Sequence, residues 1–384
     1  MKIADCGFTS QQREGAASYS LRTAIDVRFA MLDSQPTLFS ETSQSLYALN
    51  PVAALIWCCL EGGGDAEAAQ ARLVEAGVES FEARRYVGDA VGNWLRLGLL
   101  HADFGPAQQR HACSFRVEDT RWRVETESRP LSRQIATLFD PDPRDPPEAA
   151  ATCLRVIEVV DKVHVYRDER RAFVCAADEL TPLVKSLIVQ QILASNQGEL
   201  AFHAACMSRG GGNLLVSGEP GAGKSTIALH LAAKGFEYRG DDIAFISPDG
   251  RARGIACAPT VKSGAWDLVA RIRPDLLDMP VHHRLDGMRV RYLEPGAADQ
   301  RANPVGWIVF IKRASAGGVE VEPIGAADAL RRLIEGSTCA AEKLSVEGFV
   351  ALRRLLEGAK SYDLTYQNSD EAAERIARIC DVGA

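Results

Sequence analysis

The sequence predicts an α/β protein that is built from two domains. Its 384 residues are too many for one typical domain and fit two. Residues 213–234 contain a short apolar strand, a glycine-rich loop and an amphipathic helix, a succession typical of α/β folds. Residues 1–104 indicate a smaller α+β unit, because short strand patterns there precede three helical patterns.

The composition is that of a globular chain, and it excludes several functions. Hydrophobic residues make up 46% and charged residues 25%, which excludes wholesale disorder. A net charge of −7 leaves no broad basic face and argues against a nucleic-acid partner. No stretch approaches the roughly 18 apolar residues of a spanning helix, and residues 1–20 lack the apolar region of a secretory signal. Ten scattered cysteines without a C-x-x-C pattern fit buried thiols, so we expect a cytoplasmic protein without a membrane partner.

The amino-terminal pattern predicts a β-meander followed by three helices. Its strand-like runs, separated by turn-forming residues, are residues 26–32, 37–40 and 44–49. Asn50 and Pro51 begin the first helix, because Asn caps a helix and Pro fits its first turn. Two further helical patterns cover residues 66–75 and 81–97. We therefore predict a first domain over residues 1–104.

A polar segment over residues 105–111 predicts a linker, and the second domain then covers residues 112–384. The proline-rich run at residues 140–147 could also mark a boundary. We interpret it as a surface loop, because strand-like alternation precedes it and resumes at residues 154–160. Helical patterns that predict a packing scaffold near the C-terminus cover residues 326–335, 345–356 and 369–380.

A phosphate-binding loop is the strongest functional pattern in the sequence. It has the form G-x-x-x-x-G-K-S, directly after a strand and directly before a helix. Its glycines let main-chain N–H groups turn around a phosphate, and the helix N-terminus adds partial positive charge. Lys224 is expected to reach the β- and γ-phosphates of ATP, and the Ser225 hydroxyl is expected to ligate Mg²⁺. The predicted nucleotide-binding residues are Gly218, Glu219, Pro220, Gly221, Ala222, Gly223, Lys224, Ser225 and Thr226.

Two adjacent carboxylates follow the loop at Asp241 and Asp242, where a second apolar strand begins. Neighbouring side chains of a strand point to opposite faces. Both carboxylates can therefore face the phosphates only if the strand start is irregular; otherwise one of them serves a neighbouring site. His203 precedes the loop in an apolar strand, where it is either a core residue or a side chain that projects into the same crevice.

His203, the loop and the Asp pair, in this order and spacing, resemble the HPr kinase/phosphorylase fold, which is related to phosphoenolpyruvate carboxykinase. Within that fold, the pattern resembles the HPr-kinase-related proteins of bacteria, over residues 112–384. The resemblance implies a Ser/Thr-type protein kinase of the P-loop kind, in a family where the reverse, phosphorolytic reaction is also known. It implies that Asp241 is the general base, that Asp242 helps Ser225 to hold Mg²⁺, and that His203 orients the Asp241 carboxylate.

One departure from this family concerns the substrate. The longer protein-recognition segment of HPr-directed enzymes is not clear here, and residues 251–255 are at best a remnant, so we expect a substrate other than HPr. Lys262 lies in a Pro259-x-x-Lys262 segment similar to that of the related kinases. We expect Lys262 and Arg253 to contact phosphate or substrate, the alternative for Lys262 being a solvated loop charge.

The amino-terminal unit resembles a PqqD-like domain, a small winged-helix-like module that recognises leader peptides of ribosomally made, modified peptides. The resemblance covers residues 25–101 and rests on the pattern from Ser45 to Trp57. It implies that a peptide adds as a strand to the sheet edge, at the hairpin of residues 37–49, beside the exposed face of residues 81–97. The alternative is a plain dimerisation or packing domain.

Together the two resemblances predict an ATP-dependent kinase that phosphorylates a Ser or Thr hydroxyl of a precursor peptide or small protein, in ribosomal-peptide modification. The amino-terminal domain would recruit this substrate. Two alternatives are a nucleotide-gated peptide-binding chaperone without phosphotransfer and a small-molecule kinase. Intact Asp241, Lys224 and His203 favour the kinase over the chaperone. The sequence is also compatible with a homo-oligomer.

Overall fold

The computed structural model describes residues 19–104, 111–117, 120–139, 152–160, 162–168, 170–196, 198–294, 301–336 and 344–381. The predicted proline-rich loop lies outside these residues, as does the predicted linker except for His111. The chain divides into two compact units, Met1–Ala112 with Glu125–Arg129 and Arg155–Cys175, and Cys113–Val124 with Pro130–Leu154 and Ala176–Ala384. The first unit thus includes two segments from beyond the boundary that the sequence predicts.

The first unit begins with the predicted meander and three helices. The elements up to residue 104 are β1 (Tyr19–Thr23), β2 (Val27–Leu32), β3 (Gln35–Ser40), β4 (Ser45–Ala48), α1 (Pro51–Glu61), α2 (Ala66–Glu75), α3 (Ser80–Leu97) and β5 (Leu100–Phe104). Strands β2, β3 and β4 form an antiparallel sheet in that order, and β1 pairs antiparallel with β5. The Asn50 side chain accepts a hydrogen bond from the Ala53 N–H at 2.8 Å, which caps α1 as predicted.

An apolar core joins this sheet to the helices. Trp57 of α1 and Trp94 of α3 meet edge to face, with ring centroids 5.1 Å apart. Leu38 of β3 and the α3 residues Val87 and Val91 are fully buried in the same cluster. The spacing of the α3 residues is the helical i, i+4, i+7 pattern, so the face that periodicity predicts to be buried is the one that packs.

The chain continues through five strands and a helix before the central part of the second unit. These are β6 (His111–Val117), β7 (Thr120–Thr126), α4 (Arg129–Ala136), β8 (Thr152–Val159), β9 (Lys162–Arg167) and β10 (Arg170–Cys175). In the first unit, β9 and β10 pair antiparallel. The second unit then begins its helical part with α5 (Leu180–Ser195).

A six-stranded mixed sheet forms the centre of the second unit. Its strands, in spatial order, are β14 (Glu237–Gly240), β12 (Ala204–Arg209), β13 (Gly212–Ser217), β20 (Val305–Arg313), β22 (Lys360–Tyr366) and β21 (Glu320–Pro323). Strands β13, β20 and β22 are parallel, whereas the other pairs are antiparallel. Two three-stranded sheets accompany it, β11 (Leu200–Phe202), β15 (Ala244–Ile246) and β16 (Ala252–Gly254), and β17 (Thr260–Lys262), β19 (Arg289–Tyr292) and β18 (His282–His283). The remaining helices are α6 (Lys224–Ala233), α7 (Trp266–Ala270), α8 (Ala326–Glu335), α9 (Val346–Gly358) and α10 (Ser369–Asp381).

Helices cover both faces of the central sheet, so its inner strands are continuous apolar runs. Successive strand residues face opposite sides. In β13, Val216 packs in one cluster with residues of α6 and α10, whereas Leu215 packs in another with residues of α8 and α9. In β20, Val309 and Ile308 are divided between the same two clusters. The fold is mixed α/β, as the sequence predicts.

The helices and the cysteines agree with two expectations from the sequence. Within the described part of the chain, no helix is both long and apolar enough to cross a membrane. The cysteines described there carry free thiols, and four of them, Cys175, Cys206, Cys257 and Cys380, are buried. Burial raises the pKa of Cys206 to about 12, so this thiol stays protonated and packs as a small hydrophobic side chain.

Candidate active site

The glycine-rich loop lies between β13 and α6, as the pattern requires. Gly223 has a φ of 96°, a left-handed conformation that residues with a Cβ rarely adopt. A Cβ at this position would lie 2.2 Å from the Tyr366 hydroxyl oxygen. That hydroxyl donates a hydrogen bond to the Ala222 carbonyl at 2.6 Å. Strand β22 of the central sheet therefore fixes the loop just before α6 begins.

Lys224 is the first residue of α6 and is only 6% exposed. Its ammonium donates hydrogen bonds to the Gly218 carbonyl at 2.7 Å and the Glu219 carbonyl at 3.2 Å. Burial lowers the pKa of Lys224, the carboxylate of Asp242 opposes this shift, and the positive charge of Lys262 adds to it. The loop carbonyls therefore hold the Lys224 ammonium, whose charge interacts with the Asp242 carboxylate and with Lys262.

Asp241 and Asp242 lie where the chain leaves the six-stranded sheet for a three-stranded one. The predicted strand over these residues begins only at Ala244, and the segment between β14 and β15 is bent. At the bend, Gly240 has a φ of 145°, and a Cβ there would lie 2.6 Å from the Ile255 carbonyl oxygen. Because the segment is bent, both carboxylates line the same cleft. Of the two alternatives that the sequence left open, the structure contains the irregular strand start, in which both carboxylates face one cleft.

His203 lies between β11 and β12, at a second crossover, by which we mean a point where the chain passes between the three-stranded and the six-stranded sheet. Since β11 pairs with β15 and β12 pairs with β14, the two crossovers lie side by side. His203 Nδ1 lies 2.8 Å from the Asp242 carbonyl oxygen, so its N–H donates a hydrogen bond to that oxygen. The same nitrogen lies 3.5 Å from Asp242 Oδ1. His203 thus contacts Asp242, whereas the resemblance implied that it orients Asp241.

Tyr238 is the residue that holds the Asp241 carboxylate. Its hydroxyl donates to Asp241 Oδ1 at 2.8 Å and lies 3.3 Å from the Cys257 carbonyl oxygen. Burial raises the pKa of Tyr238 well above its ordinary value, so the phenol remains a donor. Asp241 is 3% exposed, and burial raises its pKa, opposed by Lys185 and by hydrogen bonds from Ser225 and Tyr238. The result is a buried carboxylate in a fixed orientation.

The loop, His203 and the two carboxylates border a cleft of about 790 Å³ within the second unit. From the loop and α6, the predicted residues that line it are Pro220, Gly221, Gly223, Lys224, Ser225 and Thr226. From elsewhere in the chain, the predicted residues that line it are His203, Asp241, Asp242 and Lys262. Gly218, Glu219 and Ala222 contribute inside the loop instead, where their carbonyls accept the hydrogen bonds of Lys224 and Tyr366.

Arg253 lies apart from this cleft. Its guanidinium donates to Glu199 Oε2 at 2.5 Å and to Asn196 Oδ1 at 3.2 Å, and it stacks over the ring of Phe245. Arg253 is not among the residues that line the cleft. The Arg253 charge is thus paired with Glu199, and the structure does not place Arg253 at the cleft, where a substrate contact was expected.

Several cleft residues escaped the sequence analysis, among them Lys185 of α5 and Arg313 at the end of β20, and Tyr292 of β19 lines the cleft as well. Burial raises the pKa of Tyr292 to about 12, so its hydroxyl is neutral. Lys185 alone had a sequence signal. Only nine of the 44 basic residues are lysines, and this one interrupts an apolar helix face.

The oxygen ligands in the cleft suit Mg²⁺. Ser225, Asp241 and Asp242 offer a hydroxyl and two carboxylates, and Mg²⁺ prefers such ligands, usually one or two from protein together with phosphate oxygens. Among the described residues, no group of three or more His, Cys, Asp or Glu side chains could hold a metal ion alone. The hydroxyl and the two carboxylates could hold such an ion together with phosphate oxygens.

This chain is similar to known proteins in structure but not in sequence. No family model matches the sequence, and no curated protein matches it. A solved structure that does match is the Hpr(Ser) kinase/phosphatase from Coxiella burnetii, at 13% sequence identity and a TM-score of 0.22. The match covers 48% of this chain and 99% of that chain. The activity, the substrate and the PqqD-like resemblance all stay predictions.

Proposed function

We propose that this protein is an ATP-dependent kinase that phosphorylates a Ser or Thr hydroxyl of a peptide or small protein. The observation that carries the proposal is the meeting of four groups in one cleft. These are a P-loop lysine, the hydroxyl after it, and two carboxylates, of which one is buried. Phosphoryl transfer depends mostly on positioning and charge neutralisation, and these side chains supply both.

The loop side of the cleft would bind the ATP phosphates. Main-chain N–H groups at the start of α6 and the helix dipole favour an anion there. Lys224 would exchange its loop carbonyls for β- and γ-phosphate oxygens, and Lys262 supplies a second positive charge nearby. Ser225 and Asp242 would hold Mg²⁺, which when bound neutralises charge on the transferring phosphates.

Asp241 would act as the general base. Its buried carboxylate accepts a hydrogen bond from Tyr238, so one oxygen is fixed and the carboxylate faces the cleft. A base must lie within about 3 Å of the attacking hydroxyl oxygen, directly or through one water. Asp241 would take the hydroxyl proton while the acceptor oxygen attacks phosphorus.

Replacing Tyr238 by phenylalanine is expected to lower kcat about tenfold. A hydrogen bond to a charged group is worth about 1.5–3 kcal/mol, and its loss lets the carboxylate turn away from the acceptor. The KM for ATP should stay unchanged, because Tyr238 does not line the cleft. Steady-state kinetics measures both constants, and Tyr362→Phe, a half-buried tyrosine of β22, is the matched control. An equal loss in both variants would contradict the assigned role.

We further propose that the amino-terminal unit recruits the acceptor peptide along β4. Among the described strands, β4 pairs only with β3, so a peptide could add to its other edge. Leu46 of β4 is 65% exposed, and Phe81 at the start of α3 is 77% exposed. A tethered docking site raises the effective concentration of the acceptor at the kinase cleft.

Incubation with labelled ATP, Mg²⁺ and the short peptides encoded beside the gene tests the function. We expect a labelled peptide whose phosphate is on Ser or Thr. In Leu46→Glu the KM for the peptide should rise while kcat holds, with Leu32→Glu, an exposed leucine at the end of β2, as the control. Tight peptide binding without transfer would favour the chaperone, and transfer to a small molecule alone would favour the small-molecule kinase.

A further inference from the structure

Lys185 is a buried lysine in the wall of the cleft. It lies on α5 between the buried residues Val184 and Ile188, and it is 5% exposed. Its ammonium donates to the Ala258 carbonyl at 2.9 Å and to the Thr260 hydroxyl at 2.7 Å. Both bonds tie the side chain to the segment that leads into β17, so its position is fixed.

The third N–H of this ammonium has only weak partners. An ammonium has three N–H donors, and the two oxygen acceptors above use two of them. Its remaining neighbours are the Cys257 thiol, which is a weak acceptor, and the Tyr292 ring, whose centroid lies 5.5 Å from Nζ. No carboxylate of the described residues forms an ion pair with Lys185. Burial would lower the pKa of Lys185, but the acidic groups Cys257, Asp241 and Asp242 raise it above its ordinary value, so the charge persists. Because Lys185 lines the cleft and keeps its charge, it can contact an anion that is bound there.

We infer that Lys185 is a catalytic residue that donates its remaining N–H to the phosphoryl group during transfer. The inference rests on the proposed function. In the transition state, charge spreads over the three equatorial oxygens of the phosphoryl group. Lys224 reaches the phosphates from the loop, and Lys185 would reach the transferred group from α5. A donor that is already fixed in place stabilises such charge without reorganisation.

The step balances without any further reactant. The bond between the γ-phosphorus and the bridging oxygen breaks and leaves ADP, while a bond forms from phosphorus to the acceptor hydroxyl oxygen. The hydroxyl proton passes to Asp241. Lys185 keeps its proton throughout and contributes only a charged hydrogen bond.

The binding of ADP with Mg²⁺ and aluminium fluoride tests this inference without an acceptor, because the fluoride ligands occupy the places of the equatorial oxygens. In Lys185→Met, the affinity for ADP alone should stay within about twofold, and the affinity for ADP with aluminium fluoride should fall about tenfold or more. Lys360→Met, at an exposed lysine of β22, is the matched control and should bind both as the wild type does. Calorimetry measures both affinities.

A second variant covers the case in which Lys185→Met does not fold. Thr260→Val keeps the ammonium but removes one of its two fixed bonds, so we expect a several-fold loss of affinity for ADP with aluminium fluoride only. If the wild type binds the complex and the folded variants bind it equally well, the inference is wrong while the proposed function stands. If the wild type binds neither ADP nor the complex, the proposed function and the inference both fail.

Discussion

Replacing Asp241 by asparagine is expected to lower kcat about a hundredfold to ten-thousandfold, the range that a general base contributes. Asparagine has nearly the same shape and still accepts the hydrogen bond from Tyr238, but it cannot take a proton. The KM for ATP should change little, because the phosphates are expected to contact the loop. The measurement is kcat with the labelled acceptor peptide.

The thermal stability of Asp241→Asn should not fall, although its kcat does. The pKa of Asp241 is raised in the folded protein, chiefly by burial, so the folded state binds its proton more tightly than the unfolded state does. The carboxylate therefore costs stability at neutral pH, and this cost disappears as the pH falls toward the unfolded value. We expect Asp241→Asn to melt at pH 7.5 no lower than the wild type.

A matched control separates the chemistry from the loss of a charge. Asp249→Asn changes an exposed carboxylate in a turn, where Ser247 and Arg251 are its partners and their contacts lower the pKa of Asp249. That variant should retain kcat. An Asp241→Asn protein that melts well below the wild type while it keeps its activity would contradict both the proposed base and the account of its burial.

The parts of the site that could be predicted from the sequence are those that neighbouring residues determine. The loop from Gly218 to Ser225 is contiguous, and its chemistry follows from glycines, a helix N-terminus and one lysine. The Asn50 cap and the apolar stripe of α3 are equally local, and the structure contains both. Such features need no knowledge of which strands pair.

The features that could not be predicted arise from pairing between distant segments. Tyr238 meets the Cys257 carbonyl, and Lys185 meets Thr260, across separations that no spacing rule covers. The contact of His203 with Asp242 depends on two crossovers that lie side by side because β11 pairs with β15. Whether both carboxylates face one cleft likewise depended on the bend at Gly240, which a strand pattern cannot reveal.

Replacing Gly223 by alanine is expected to lower the free energy of unfolding by roughly 2–4 kcal/mol. About 1–2 kcal/mol comes from placing a Cβ in the left-handed region, and the rest from the close approach of that Cβ to the Tyr366 hydroxyl. The loop must shift to relieve this contact, so ATP affinity should fall as well. Urea denaturation and calorimetry with ATP measure the two effects.

Two further variants divide this loss into its causes. Gly211→Ala adds a Cβ at a φ of 84° in the turn before β13, where nothing lies within 4 Å, so it measures the conformational cost alone. Tyr366→Phe removes the hydroxyl, after which the nearest atom to the new Cβ at position 223 would be the ring carbon at 3.6 Å, an ordinary contact. The Gly223→Ala substitution should therefore cost less in the Tyr366→Phe background than in the wild type. If it costs the same in both, the Tyr366 hydroxyl does not hold the loop, and the sheet and the phosphate site are not coupled through it.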